Sequence, residues 1–292
     1  MLGLYIIVNA VMMGRDLYEG FAWANKDWQL WTAVADASGT ADVYRVGEWF
    51  HYVWSPLLIP LAALQGVTGV WPSITLHLLA VLLLRDQRLI LLVLISWVFW
   101  TDAVAGGVTT YAFVAGALAL RGGRTAALAF FALTALIPRP LMLPLTGWLL
   151  WKRPALRIPG IATMGVLTGL AFLTGLMDEW VSTALAQSAA PPFFLAPVAI
   201  FGWAYYAIAG PVAVLLARYG RVGFASVVMC NYLLPYYLLM LLWEALPLLA
   251  NLDHQRRTGH HAPGEEVLGV GEVGPRVAQD GKVDDRLRHE RA

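Results

Sequence analysis

Polar and apolar positions divide this chain into a long apolar portion and a short polar one. Up to about residue 250, apolar runs alternate with brief polar punctuation. The runs are Met1–Met13, Ser55–Leu84, Leu89–Trp100, Ala103–Leu120, Thr125–Ile137, Leu141–Trp151, Ile158–Met177, Leu195–Ala217 and Val222–Leu249. Repeated runs of this kind, separated by short basic loops, predict membrane helices. Met1–Met13 falls short of the roughly 17–25 residues of a spanning helix and reaches that length by continuing to about Trp23. That extension carries Arg15, Asp16 and Glu19 to an interface. The run has no basic n-region and no small-residue cleavage site, so it reads as an uncleaved first helix. Ser55–Leu84 is broken around Gly66-Val67-Thr68-Gly69 and Pro72, which predicts either one kinked crossing or two short helices. Thr101-Asp102 interrupts the next stretch, and Pro138-Arg139-Pro140 ends a later one.

One stretch departs from this pattern. Between Asp27 and Pro56, the carboxylates Asp27, Asp36, Asp42 and Glu48 stand among Trp28, Trp31, Tyr44, Trp49, Phe50, Tyr52 and Trp54. Trp28, Trp31, Val34, Ala35 and Ala37 recur at helical spacing, predicting an amphipathic helix over Asp27–Ser38 that lies at a membrane surface. Gly39 ends it, and Ser55-Pro56 opens the next apolar run. From Asn251 to Ala292 the chain turns to Gly, charged residues and His, too poor in large apolar side chains to bury a core. A disordered tail is predicted there.

Composition agrees. Of 292 residues 59% are hydrophobic and 13% charged, against roughly 25% charged in soluble domains. The expectation is an all-α polytopic protein of the cell membrane with about eight to nine membrane helices over residues 1–250. Residues 14–54 form the first extracytoplasmic loop and contain the interfacial helix. With that loop outside, Arg85/Arg88, Arg121/Arg124, Lys152/Arg153/Arg157 and Arg218/Arg221 fall inside, as the positive-inside rule requires. Asp102 and Asp178/Glu179 then fall outside. The single Cys230 excludes an internal disulfide and reads as a small buried hydrophobe. His260-His261 lacks further ligands at fixed spacing, so neither a metal nor another cofactor is expected. His51 and His77 are isolated and read as packing or hydrogen-bonding residues. Gly116, and Gly165 with Gly169 as a small-xxx-small pair, read as helix-packing positions. No Gly-x-Gly-x-x-Gly follows a strand and no Walker sequence occurs, so no nucleotide site is expected; nor is a nucleic-acid partner.

The order Asp27, Trp31, Gly39, Tyr44, Phe50, Tyr52, Ser55 and Pro56 resembles the first extracytoplasmic loop of polyprenol-dependent C-type membrane glycosyltransferases. The likeness is greatest to glycosyltransferase family 87, which includes bacterial alpha-mannosyltransferases. Pro138-Arg139-Pro140 resembles the Lys-Pro that this family carries at the end of a corresponding helix, with Arg for Lys. The resemblance runs from Met1 to about Arg157; beyond it only the hydrophobic pattern agrees. Where the family often has Gly-Gln-x-Asn, this chain has Gly106-Gly107-Val108-Thr109-Thr110.

The resemblance implies transfer of a hexose, mannose by analogy, from a polyprenyl-phosphate sugar to a lipid or cell-envelope glycan. Asp27 matches the family's catalytic base; a helix N-cap is the structural alternative for an Asp opening a helix. Asp16 is a second candidate base, with Arg15 beside it as a pairing partner. Arg139 would stabilise the departing phosphate, or else reach out from an interface. Tyr44, Tyr52 and Trp31 are candidate substrate contacts, though an aromatic belt would also use Trp31. Asp102 faces the same cavity or stands as an exposed loop acid. A rival class is a non-enzymatic membrane protein, either a lipid-carrier transporter or flippase or an inactive scaffold partner, which would carry polar residues along a transmembrane path.

Overall fold

A computed structural model describes residues 22–38, 40–46, 54–189, 197–230, 235–247 and 249. Among these the chain is all-helical, with thirteen α-helices and no strand. Asp16, Tyr52, most of the expected first helix and the expected tail lie outside the described residues.

Helix α1 (Ala22–Ala37) starts five residues before the expected boundary and ends near it. Its amphipathic pattern holds: Trp31 and Val34 are buried, whereas Gln29, Thr32, Asp36 and Ser38 are exposed. The buried face meets protein. Trp31, Val34, Tyr44, Trp54, Ile59 and Trp180 belong to one apolar cluster. Ser55 opens the next segment as expected, its Oγ accepting from Leu57 N at the turn Pro56–Leu58.

The stretch broken by glycines becomes two helices, α2 (Ile59–Thr68) and α3 (Val70–Leu82), bent by 119°. The hinge is Gly69, at φ +78°, a conformation that costs a residue with a Cβ. Helix α2 packs on α1, where Gly66 lets the backbones meet: a Cβ there would stand 2.2 Å from the Trp31 carbonyl oxygen. Next come α4 (Gln87–Leu94) and α5 (Trp97–Ala105), bent by 71°. The break falls at Ile95-Ser96 rather than at the expected Thr101-Asp102, which lies within α5. Asp102 is tolerated inside that helix because its carboxylate finds partners there.

Helices α6 (Thr109–Leu120), α7 (Arg124–Leu136), α8 (Leu143–Lys152) and α9 (Arg157–Leu173) then run back and forth. Tight polar turns join α6 to α7 and α8 to α9. Arg121 and Arg153 tie three turns together: Arg121 donates to Leu84 O at 3.1 Å and pairs with Asp86 Oδ2 at 2.5 Å, and Arg153 donates to Leu120 O at 3.0 Å. Asp86 also caps α4 through Arg88 N and Leu89 N. Burial alone would raise its carboxyl, but Arg121 and the two amides outweigh that and hold it below the usual carboxylate range. These contacts make one end of the bundle basic. The opposite end holds the carboxy termini of α5 and α7 and the start of α6, together with Ser55, whose N–H donates to Leu136 O at 2.8 Å.

The chain continues through α10 (Met177–Ala189), α11 (Pro197–Phe201), α12 (Ala204–Arg218) and α13 (Val222–Val228), then a 3-10 segment, Pro235–Glu244. Asp178 and Glu179 occupy the first turn of α10, where carboxylates favour a helix amino terminus. The last apolar run is therefore not one helix. Glu244, inside that run, is buried and accepts from Gly223 N at 2.9 Å and Phe224 N at 3.3 Å, with Arg221 Nη1 3.3 Å away. It supplies α13 with the acceptor that its own first turn lacks.

Among the described residues, Pro154–Leu173 is the one helical stretch long and apolar enough to cross a membrane. Up to three spans result if each bent pair counts as one. At 1.5 Å per residue its 20 residues cover about 30 Å, the depth of a hydrocarbon core. The apolar helices Thr109–Leu120, Arg124–Leu136 and Ala204–Arg218 are shorter than that.

The expected packing glycines separate. Gly116 is a contact point, since a Cβ there would meet the Trp243 ring at 2.3 Å and Leu145 at 2.8 Å. Gly165 and Gly169 are not: nothing lies within 4 Å of either, and neighbouring Ile161, Val166 and Leu170 are exposed. Gly160 fills the packing role on α9, against Phe131. Gly116→Ala should therefore destabilise the protein by about 1–3 kcal/mol, the usual cost of overpacking. Gly165→Ala should be neutral or stabilising by up to about 1 kcal/mol, as for a glycine replaced in an unobstructed helix. Thermal unfolding of both variants in one detergent measures the contrast.

Candidate functional site

The site assembles around the carboxy end of α5. A helix leaves its last carbonyls without partners, and at an apolar end these must be satisfied by side chains. Here three are. Trp28 Nε1 donates to Val104 O at 2.6 Å, Trp31 Nε1 to Ala105 O at 2.9 Å, and Gln65 Nε2 to Gly106 O at 2.9 Å. The corner demands glycine. Gly106 is left-handed at φ +68°, and a Cβ there would fall 1.6 Å from Gln65 Nε2; one at Gly107 would fall 2.0 Å from Asp102 Oδ1. The Gly106-Gly107 pair thus has a structural function. It lets α1, α2 and the Asp102 carboxylate close on one turn.

These contacts decide several expectations. Trp31 is 5% exposed, stacks against Trp54 at 4.6 Å, and spends its N–H on α5. It is a docking residue, neither a belt anchor nor an open stacking platform. Tyr44 is also buried, and its hydroxyl donates to Trp54 O at 3.2 Å. Burial, reinforced by the charge of Glu179, pushes its phenol above the ordinary value. Asp27 lies inside α1, with Trp28 next to it, so the helix-cap alternative does not apply; its side chain lies outside the described residues.

Arg139 follows α7 as expected, in the extended residue before the turn Pro140–Met142. It does not stand out from the surface. Its Nε is buried, and it lines a small pocket with Val108, Thr109, Ile137, Met142 and Met240. The pocket is small, with an interior of about 10 Å³, about what a single water needs. Val108, Leu133 and Ile137 form part of this wall and also pack against the cluster that holds Trp31. Arg139 and helix α1 therefore lie at the same, non-basic end of the bundle.

Asp102 is not an exposed loop acid. It is fully buried in α5, with Oδ2 accepting from Thr110 N at 2.7 Å and lying 3.5 Å from His77 Nε2. His77, expected to be isolated, is its partner. No periodicity announces this pair, because its members are 25 positions apart on α3 and α5 and meet only after the break at Gly69 turns α3 into the bundle. The first residue of α6, Thr109, lines the Arg139 pocket, and the next one binds Asp102. The described residues contain no group of three or more His, Cys, Asp or Glu able to hold a metal.

Trp31→Phe keeps an aromatic side chain but removes the N–H and part of the buried ring, leaving Ala105 O unsatisfied at a cost of at least about 1–3 kcal/mol. Hydrogen exchange across Ala22–Ala37 should accelerate more than across Arg124–Leu136. Equal acceleration in both helices would remove Trp31 from its docking role.

Comparison with family models, with curated proteins and with solved structures finds no match to this chain.

Proposed function

We propose that this chain is a multi-pass membrane hexosyltransferase with eight to nine membrane helices. It takes a sugar, mannose by analogy, from a polyprenyl phosphate and transfers it to a lipid or cell-envelope glycan on the outer face. The observation that carries the reading is the half-buried Arg139 in an apolar pocket, at the end of the bundle where the backbone of α1 carries Asp27. The lipid phosphate needs a cation beside it as negative charge develops, and the half-buried Arg139 guanidinium supplies it.

In the reaction, the acceptor oxygen attacks the anomeric carbon and the bond from that carbon to the phosphate oxygen breaks. The bonding pair leaves with the polyprenyl phosphate, whose new charge Arg139 balances. Asp27 takes the acceptor's proton. Gly106-Gly107, Trp28, Trp31 and Gln65 bind nothing in this scheme; they hold α1 against α5.

One observation favours the rival reading of a lipid-carrier transporter. His77 and Asp102 are ionisable groups buried among apolar helices, which in membranes are costly and generally serve a purpose. The two readings part on Asp27. A transferase with Asp27→Asn should lose at least ~10²-fold in sugar transfer from a synthetic polyprenyl-phosphate hexose in nanodiscs, with expression unchanged. Arg139→Ala should be severe and Arg139→Lys mild. Full activity in both Asp27→Asn and Arg139→Ala would reject the assignment.

Orientation has its own test. The positive-inside rule puts the basic turns in the cytoplasm. Ala41→Cys should then react with an impermeant maleimide added to intact cells, whereas Gly122→Cys should react only after permeabilisation. The reverse pattern would place Asp27 on the wrong face for this donor.

A further inference from the structure

We infer that α2 is an in-plane elbow that seats one end of the bundle in a bilayer surface. It lies across the end opposite the basic turns, sets its exposed apolar face among lipid acyl chains, and leaves α3 alone to cross. The inference does not rest on the transferase reading.

The argument begins with where each end of α2 is held. Ser55, just before it, donates its N–H to Leu136 O at the carboxy end of α7. Helix α7 starts at Arg124, in the basic turns, so Ser55 stands at the far end of the bundle. When α2 finishes, the chain has not left that end. Gln65 Nε2 binds Gly106 O at the corner of α5, and Gly66 meets the Trp31 backbone of α1. Both ends of α2 are thus fastened at one end of the bundle, and its 10 residues, about 15 Å long, run across it. Helix α3 behaves differently. Ser73 Oγ, in its first turn, donates to Ala103 O at 2.9 Å, close to the same corner. The chain after α3 reaches the basic turns, where Leu84 O accepts from Arg121 Nη1 and Asp86 pairs with the same guanidinium. The broken run therefore holds one crossing, made by α3, and neither two crossings nor a hairpin that returns to its starting side.

The 119° bend fits this division. With α2 in the bilayer plane, that angle lets α3 stand as little as about 29° off the normal, inside the 0–40° range of membrane helices.

What covers α2 follows from its surface. One side is spent on protein, with Ala62 buried and Gly66 against α1. The other side shows Leu61, Leu64 and Val67 at 52%, 57% and 78% exposure, and Trp71 follows just past the bend at 75%. From Ser55 to Leu84 there is no Asp, Glu, Lys or Arg. The same apolar surface continues along α3 through Leu76, Leu79 and Leu82. Its border is α1, where Gln29, Thr32 and Asp36 are exposed, followed by the solvent-facing pair of Asp42 and Arg45. A polar helix and an apolar one thus lie side by side, backbone against backbone. Water over the first and acyl chains over the second satisfy both, which draws the membrane surface along their contact. Trp71 then sits at the level where an indole is favoured. With no cation on this face, its partner is the acyl region rather than an anionic headgroup.

The test measures depth. Single cysteines replace Thr32, Leu61, Leu64, Val67, Trp71 or Leu76, all exposed, in full-length protein carrying Cys230→Ala. Each is spin-labelled in phosphatidylcholine nanodiscs, and its collisions with oxygen and with a water-soluble nickel chelate are compared. Labels at Leu61, Leu64 and Val67 should favour oxygen and share one depth, while the label at Thr32 favours nickel. The label at Leu76 should lie deeper than that at Trp71 by about 6 Å, five residues at 1.5 Å reduced by the tilt. A progressive change of about 9 Å from Leu61 to Val67, as for a helix along the normal, would overturn the proposal by placing α2 inside a crossing. Nickel access at Leu64 equal to that at Thr32 would overturn it in favour of water. Loss of both collision partners at Leu64, with spin–spin broadening, would overturn it in favour of a second copy of this chain. Sugar transfer is not measured, so failure here is separate from failure of the transferase reading.

Discussion

The carboxy end of α5 is the constraint on which the rest of the site depends. Three successive carbonyls emerge there with no helical partner, in a chain whose exterior is too apolar to rely on water. Two indoles and an amide supply the hydrogens, and they come from α1 and α2, which no covalent short cut holds in place. Satisfying α5 therefore docks α1. The same turn must admit Gln65 and the Asp102 carboxylate, which is why both of its residues are glycine. A helix lying at one end of the bundle becomes a rigid part of it, and with it the backbone that bears Asp27.

Much of this was legible in the residues, for an identifiable reason. The stripe of Trp28, Trp31 and Val34 is a local pattern, and α1 follows it. Basic turns between apolar runs are local too, and Arg121 and Arg153 bring three of them to one end. What escaped was non-local. Asp102 looked like an interruption because a lone carboxylate in an apolar run usually is one. Its partners arrive from α3 and α6, and only the sharp bend at Gly69 brings His77 to it. Glu244 is a second case, since the amides it binds lie about twenty residues earlier. Gly165 and Gly169 erred in the other direction. Their spacing matches a packing motif, yet the face they occupy meets nothing in this chain, and Gly160 makes the contact.

Short helices raise a question of physical consistency. Helices of 12 and 13 residues such as α6 and α7 span about 18–20 Å, well under a 30 Å core. The structure meets this by composite construction. The pairs α2–α3 and α4–α5 are bent by 119° and 71°, and the long α9 leaves much of its surface exposed. At the carboxy end of α5 the free carbonyls turn inward, where two indoles and an amide receive them around a glycine corner. That is the condition under which irregular backbone is tolerated at membrane depth.

The outcome is a molecule whose polarity is sorted against the usual sense for a soluble protein. Leu76, Leu79, Ile158, Val166, Phe172 and Val214 are exposed, whereas Asp102, His77, Glu244, Thr110 and Ser226 are buried. A soluble chain would lose stability on both counts, through exposed apolar surface and through desolvated charge. In a bilayer the first cost vanishes, because lipid replaces water around the apolar side chains. The second is met pair by pair, Asp102 by His77 and the α6 amide, Glu244 by Arg221 and the α13 amides. Each buried carboxylate is thus held at the amino end of a helix with one nitrogenous partner, on elements that meet only in the folded bundle. Charge satisfaction among these apolar helices is in this way coupled to tertiary assembly rather than to any single helix.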